Sequence, residues 1–228
     1  MKRELVKTAD GSTTIYLPEW NEHYHSSHGA LQEAQHVFIK HGLNPKSEDY
    51  LTIFEMGFGT GLNALLTYFA SEKRNQYIHY IALEAFPPTP EEIKGMNYVS
   101  FTRDEEAAEI FQKMHLVDWN APREISEHFV LEKVEKQIQD LELGEGSIDL
   151  CYYDAFGPRV QPELWSAEIF RKIYNWLSPG GVLVTYCAKG QVKRDLKSVG
   201  FEVVSLPGPP GKREMTKAIK NENSSFAI

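Results

Sequence analysis

Ile53-Phe54-Glu55-Met56-Gly57-Phe58-Gly59-Thr60-Gly61 runs directly into Leu62-Asn63-Ala64-Leu65-Leu66-Thr67-Tyr68-Phe69. An apolar run ends in an acid, alternating glycines follow, and a helix-compatible segment comes next. That order predicts a strand, a tight turn and a helix start. Glycines in such a turn reach backbone angles that other residues avoid, and they let a ligand lie against the main chain. Free amides at a helix start favour polar or anionic groups. A nucleotide-like ligand is therefore expected there. A dinucleotide fingerprint reads Gly-x-Gly-x-x-Gly, and here Leu62 stands at its third glycine position. A carboxylate two residues before Gly57 suits a ligand with a cationic amino group, and it suits a pyrophosphate poorly.

The pattern resembles motif I of class I methyltransferases, which bind S-adenosylmethionine. A dinucleotide enzyme and a purely structural turn are the competing readings at this point.

Strands and helices alternate outward from this turn. Tyr80 to Glu84 reads as a second strand, and Pro87-Pro88-Thr89-Pro90 as a turn opening a helix at Glu91. Phe129 to Glu132 suggests a strand, with a helix from Leu131 to Leu141 as its competitor. Ile148 to Tyr153 reads as a strand ending at Asp154. Leu164 to Leu177 reads as a helix stopped by Ser178-Pro179-Gly180-Gly181, with a strand from Val182 to Tyr186 beyond. Phe201 to Ser205 and Thr216 to Ile219 form a last pair of strands. Ahead of the turn, Thr13 to Leu17 reads as a strand and Gly29 to Ile39 as a helix. Alternation of this kind implies an α/β fold with a central, mostly parallel sheet and helices on both faces. The expected organisation is one domain over 1–228, with an N-terminal extension over about 1–50. The long segment from Glu91 to Ser126 is expected to carry inserted helices.

Composition narrows the class. The net charge is −8, which does not suit a general nucleic-acid binder. The charge is uneven, however. Lys189, Lys193, Arg194, Lys197, Lys212, Arg213, Lys217 and Lys220 face only Asp195, Glu202 and Glu214. That edge could hold a polyanion or be an ordinary solvated face. No apolar run approaches a bilayer span, and the N-terminus shows no secretory h-region. Cys151 and Cys187 are the only cysteines, each in an apolar segment, which reads as buried reduced thiols in a cytoplasmic protein. Their spacing does not suit structural zinc. His23, His25 and His28 lack a recognised metal-ligand spacing, and a polar loop near the site mouth is the simpler reading. No metal is expected. Trp119, Trp165 and Trp176 read as core or contact residues.

In sheets of this class, ligands sit at the carboxyl ends of the strands. Glu55, Glu84 and Asp154 all fall there. An acid at Glu84 can accept hydrogen bonds from both hydroxyls of a ribose, in S-adenosylmethionine or a dinucleotide alike. Asp154 suits an amine acceptor: methylation needs a neutral nitrogen with its lone pair aimed at the methyl carbon. A carboxylate can orient the N–H and help remove the proton. The bland reading of Asp154 is a turn residue before Gly157-Pro158. Tyr24 could stack on a base or close the pocket.

Several segments together resemble one family. They are Gly59-Thr60-Gly61-Leu62-Asn63, Leu83-Glu84-Ala85-Phe86-Pro87, Asp154-Ala155-Phe156-Gly157-Pro158, Pro162-Glu163-Leu164-Trp165 and Gly208-Pro209-Pro210-Gly211-Lys212-Arg213-Glu214-Met215. Tyr24, Ser27, Gly29, Glu33 and Val37-Phe38 fit the same pattern. The chain is similar in these segments, from about Tyr24 to Thr216, to the methyltransferase domain of MnmC, the family that forms 5-methylaminomethyl-2-thiouridine in tRNA. The resemblance implies a class I (Rossmann-like) fold with an antiparallel C-terminal strand. It implies S-adenosylmethionine-dependent N-methylation of a 5-aminomethyl group on a wobble uridine, with the tRNA anticodon loop as partner. It assigns Glu55, Gly57, Gly59, Gly61, Asn63 and Glu84 to the cofactor and Asp154 to the acceptor amine. Tyr24, Phe156, Lys212 and Arg213 fall to the substrate side, with Lys212 and Arg213 either closing over the site or holding phosphate. Family members often carry Gly-Asp where Leu131-Glu132 stands here, which aligns Glu132 with the adenine contact. Bifunctional members add a flavin-dependent oxidoreductase domain. A chain ending at Ile228 is expected to perform the methyl transfer alone, without flavin. A polyamine aminopropyltransferase or another small-molecule amine methyltransferase is the alternative.

Overall fold

The computed structural model describes residues 2–102 and 104–222. Eight strands make the main sheet. In chain order they are β4 (Tyr50–Met56), β5 (Tyr77–Glu84), β6 (Ala121–Ser126), β7 (Phe129–Glu135), β8 (Ile148–Tyr153), β9 (Leu177–Thr185), β10 (Glu202–Pro207) and β11 (Glu214–Ile219). A smaller sheet of β1 (Glu4–Lys7), β2 (Thr13–Leu17) and β3 (Glu22–His23) precedes them. The large sheet runs β10-β11-β9-β8-β4-β5-β7-β6. Pairs from β9 through β8, β4 and β5 to β7 are parallel, while β6, β10 and β11 join antiparallel at the two edges.

Burial explains the pattern of the central strands. In β4, every residue from Leu51 to Met56 is buried, because both faces of a parallel sheet are covered. Phe38, Leu65, Tyr80 and Tyr152 fill one side. Phe54, Tyr153, Phe170 and Trp176 fill the other. Cys151 and Cys187 are free thiols within that second layer, as their apolar context predicted.

The helices are α1 (Ala30–Ala34), α2 (Leu62–Glu72), α3 (Pro90–Lys94), α4 (Ala107–Leu116), α5 (Ala167–Trp176) and α6 (Gly190–Ser198). The helix expected from Gly29 is α1 continued by a π-helical stretch, Gln35–Leu43. Thr89 caps α3 through a reciprocal capping box with Glu92, and Pro90 stands at its first turn. The insert after Glu91 holds α3, a 3-10 turn (Tyr98–Phe101), α4 and, beyond the expectation, the edge strand β6. Phe129 opens a strand and not a helix. Its segment hydrogen-bonds to β5 in register with Ile78, and this pairing outweighs the local helical pattern. Ser178-Pro179-Gly180-Gly181 also differs from expectation. It lies inside β9, where the register against β8 shifts and the Gly180 amide donates to Lys220 O at 2.9 Å.

The chain leaves β4 toward β5 and β7, then crosses back to β8 and β9 on the other side. The strand order therefore reverses between β4 and β8, and a crevice opens at their carboxyl ends.

Candidate active site

Main-chain bonds hold three strand ends together at this crevice. The amides of Gly57 and Phe58 both donate to Leu83 O, at 3.0 and 2.9 Å, and the Asp154 amide donates to Met56 O at 3.0 Å. Gly57 has φ of +94°, and a Cβ there would lie 2.9 Å from the Asp154 carbonyl. No L side chain fits that approach. Gly61, at φ +76°, opens α2, and a Cβ on it would meet His115 Nε2 at 2.9 Å. The glycines expected to contact a ligand thus also close the turn sterically.

A cleft of about 770 Å³ lies above the turn. Gly57, Gly59, Asn63, Glu84, Asp154, Tyr24 and Phe156 line it. Glu84 Oε2 accepts from the Gly59 amide and Oε1 from the Phe86 amide, both at 2.9 Å. Each oxygen is thereby fixed while keeping a second acceptor direction.

Asn63 lies in the first turn of α2, on its sheet-facing side. Its Nδ2 donates to Glu55 Oε1 and to Asp154 Oδ2, each at 2.8 Å. Two acids from adjacent strands are thus joined by one amide. Glu55 is fully buried, and burial pushes its carboxyl well above the usual range, with Asp154 and Glu84 adding to the rise. Burial, followed by the charge of Glu33, raises Asp154 to about 7, opposed by the Asn63 hydrogen bond and by Lys212. Glu55 Oε2, Asn63 Oδ1 and the Tyr80 hydroxyl, which faces Glu55, are buried without a hydrogen-bond partner. A buried acceptor without a donor costs free energy. The Tyr80 hydroxyl, which can donate as well as accept, is in place to donate to Glu55. Among the described residues, no group of His, Cys, Asp and Glu has the arrangement of a metal site.

The opposite wall is aromatic. Phe156 meets Tyr24 edge-on at 5.0 Å and Trp20 at 5.5 Å. Arg3 of the N-terminal segment donates to Phe86 O at 2.8 Å and pairs with Glu92 at 3.1 Å, and its guanidinium stands 5.9 Å from the Tyr24 ring. The small sheet thereby forms one side of the cleft. His25 lines it also, with burial lowering its imidazole to about 4. The exposed Phe86 ring stands at the rim.

Other sequence-derived candidates lie elsewhere. Glu132 is in the middle of β7, where its carboxylate takes His79 Nε2 at 3.1 Å, and it does not line the cleft. The segment that does reach the cleft beside Glu84 is Lys136 to Gln139, just past the end of β7. Lys212 turns inward to an ion pair with Glu33, whereas the Arg213 side chain is 93 % exposed. Lys220, counted in the basic edge, is buried, its Nζ donating to the carbonyls of Tyr174 and Leu177. Lys193 is engaged by Glu214 at 2.8 Å. Trp20, Arg3 and the 136–139 segment were not singled out from sequence. Only the proximity of Lys136 to the end of a strand could have flagged any of them.

Sheet order, glycine turn and strand-end acids together define a class I methyltransferase fold with a cleft suited to a sulfonium nucleoside. A family model for S-adenosyl-L-methionine-dependent methyltransferases matches residues 105–221, and the chain belongs to that family. It is 32% identical to the tRNA 5-methylaminomethyl-2-thiouridine biosynthesis bifunctional protein MnmC of Cupriavidus necator, over 94% of this chain and 34% of that protein. The MnmC of Pseudoalteromonas atlantica is 30% identical over the same shares. The chain spans about a third of the length of these curated relatives. Among solved structures, MnmC2 from Aquifex aeolicus superposes with a TM-score of 0.77 at 24% identity, covering 98% of this chain and 71% of that one. A probable spermidine synthase from Corynebacterium glutamicum gives 0.52 at 16% identity, over 98% and 78%. These two likenesses concern the fold. The resemblance to MnmC drawn from the motifs is met by these relatives. No helix among the described residues is long and apolar enough to cross a membrane.

Proposed function

We propose that the chain transfers a methyl group from S-adenosylmethionine to the amine of a 5-aminomethyluridine at the wobble position of tRNA, in the cytoplasm, as a single domain. The observation that carries the reading is Asp154. It is held by Asn63 at the carboxyl end of β8, beside the glycine turn and opposite an aromatic wall. The name of the relatives supplies the acceptor, because it specifies a 5-methylaminomethyl-2-thiouridine of tRNA.

The turn at Gly57 and Gly59 suits the amino-acid end of the cofactor, while Glu55 is buried and bonded to Asn63. Glu84 suits the ribose, and Lys136 to Gln139 border the place left for the base. When bound, S-adenosylmethionine supplies an electrophilic methyl carbon, so that the N–C bond forms as the S–C bond breaks and its electron pair stays on sulfur. The protein's part is to present a neutral amine in line. Asp154, at about 7, is poised to accept a proton from the incoming ammonium near neutrality. Phe156, Tyr24 and Trp20 offer ring faces and edges to a flipped pyrimidine.

The test is incubation with labelled S-adenosylmethionine and tRNA from a strain lacking the activity, followed by nucleoside analysis. Label in a methylaminomethyl uridine supports the reading. Cofactor binding with no label in tRNA, but label in a free amine, replaces it with a small-molecule acceptor.

A further inference from the structure

Arg3 closes a ring of contacts around Glu84. Its Nη2 donates to Phe86 O at 2.8 Å, and the Phe86 amide donates to Glu84 Oε1 at 2.9 Å. On the other side, Glu84 Oε2 takes the Gly59 amide at 2.9 Å, and a Cβ on Gly59 would lie 3.2 Å from Tyr24 Cδ1. The Tyr24 ring stands in turn 5.9 Å from the Arg3 guanidinium. Arg3 Nη1 is held as well, by Pro87 O at 3.2 Å and by Glu92 Oε2 at 3.1 Å. That carboxylate is the one that completes the capping box of α3, accepting from the Thr89 amide at 2.7 Å. Arg3, Tyr24, Gly59, Glu84, Phe86 and Glu92 all line the same cleft. One planar fork therefore spans two carbonyls and a carboxylate, a geometry that an ammonium does not reproduce.

The small sheet has other attachments to the same insert. Leu5 packs on Gly95 with no room there for a Cβ. The Asn97 side chain donates to Gly11 O at 3.0 Å and accepts from the Thr13 amide at 2.7 Å. The contacts of Arg3 fall instead on the loop that leaves β5 directly after Glu84. A loop ordered before its ligand arrives lowers the ordering cost of binding. Resting on the reading of Glu84 as the acceptor for the ribose hydroxyls, we infer that Arg3 is a positioning residue for the nucleoside of the cofactor. It fixes Phe86, and the Phe86 amide fixes the Glu84 carboxylate. The N-terminal strand thus reaches the cofactor site through two hydrogen bonds in series, from guanidinium to carbonyl and from amide to carboxylate.

The experiment is calorimetric titration of the full-length parent, Arg3→Met, Glu84→Gln and the double variant. The probes are S-adenosylmethionine and 5′-methylthioadenosine, which carries the nucleoside without the amino-acid end. Arg3→Met is expected to raise both dissociation constants about tenfold, with kcat at saturating cofactor within about threefold of the parent. In the Glu84→Gln background the same substitution should change them by less than about twofold, because contacts that act through one group are not additive. Dissociation constants within about twofold of the parent in Arg3→Met itself overturn the inference. An equal loss with and without the Glu84 carboxylate also overturns it, making Arg3 a general brace of the small sheet. A loss for S-adenosylmethionine alone overturns it too, by moving the effect to the amino-acid end. If the parent binds the cofactor but places no label in tRNA, the acceptor reading fails, while the titrations still decide the role of Arg3. A parent that binds no S-adenosylmethionine overturns both.

Discussion

Asn63 Nδ2 stands 2.8 Å from Asp154 Oδ2, across 91 positions of sequence, and this contact joins the first turn of α2 to the end of β8 within the cleft. The same nitrogen bonds Glu55 Oε1 at 2.8 Å. Its two donor hydrogens are therefore shared between two acids, Glu55 fully buried and Asp154 partly buried, that would otherwise repel. Asn63→Leu removes both bonds. A hydrogen bond to a charged group is worth about 1.5–3 kcal/mol, so cofactor affinity is expected to fall by about tenfold or more. Turnover should fall further, because Asp154 loses its orientation. Calorimetric titration with S-adenosylmethionine and single-turnover transfer would measure the two effects. Normal transfer in Asn63→Leu would show that the bridge is not needed.

Asp154 links activity to stability with opposite signs. Its folded-state value of about 7 lies above the ordinary 3.8. Between those values the native chain keeps a proton that the unfolded chain has released, so this residue's contribution to stability falls as pH rises through that window. Asp154→Asn removes the titration. The variant is expected to melt above the parent at pH 8, with the difference shrinking toward pH 4, while transfer drops by about a hundredfold or more. Thermal scans across that range check the sign. A variant that melts below the parent at pH 8 would contradict the burial argument.

Much of the site could be read in the chain because it sits where strands end. Glu55, Glu84 and Asp154 are each followed within two or three residues by a Gly or Pro (Gly57, Pro87 and Gly157), so their place near the carboxyl edge followed from local sequence. Glu132 shows why the rest could not. It and Lys133 are neighbours on one strand and so point to opposite faces. Pairing with β5 in register with Ile81 sends Glu132 to His79 and buries Lys133, whose Nζ donates to His115 O at 2.9 Å. Burial lowers that ammonium to about 8. Nothing in Phe129-Val130-Leu131-Glu132-Lys133 states that register, which is set by a strand some fifty residues away. The basic C-terminal edge carries fewer free charges than its sequence suggests, for a similar reason. Lys212 and Lys220 each find oxygen partners that only the folded chain supplies.

That difference among the cations yields a prediction about RNA. Lys212 is paired with Glu33 and Arg213 projects into solvent. Phosphate contacts release counterions, so each one steepens the salt dependence of binding. Arg213→Ala is expected to lower the slope of log affinity against log salt by about one. Lys212→Met should leave the slope unchanged. Filter or anisotropy binding to tRNA at several potassium chloride concentrations separates them. An equal loss of slope in both variants would place Lys212 on the RNA.

Trp20 carries the last prediction. It lies in the turn between β2 and β3, edge-on to Phe156 at 5.5 Å, and lines the same cleft as Asp154. Its own backbone carbonyl accepts from Arg159 at 2.9 Å, which fixes the turn without the indole. The ring can thus be removed with little effect on the local backbone. Base–aromatic stacking contributes about 1–3 kcal/mol per base. Trp20→Ala should therefore raise the KM for tRNA about tenfold or more, with S-adenosylmethionine affinity unchanged, and Trp20→Phe should recover much of the loss. Steady-state kinetics with tRNA varied at saturating cofactor provide the check. A change confined to cofactor affinity would move Trp20 to the nucleoside side of the cleft, leaving Phe156 and Tyr24 as the aromatic surface offered to the acceptor base.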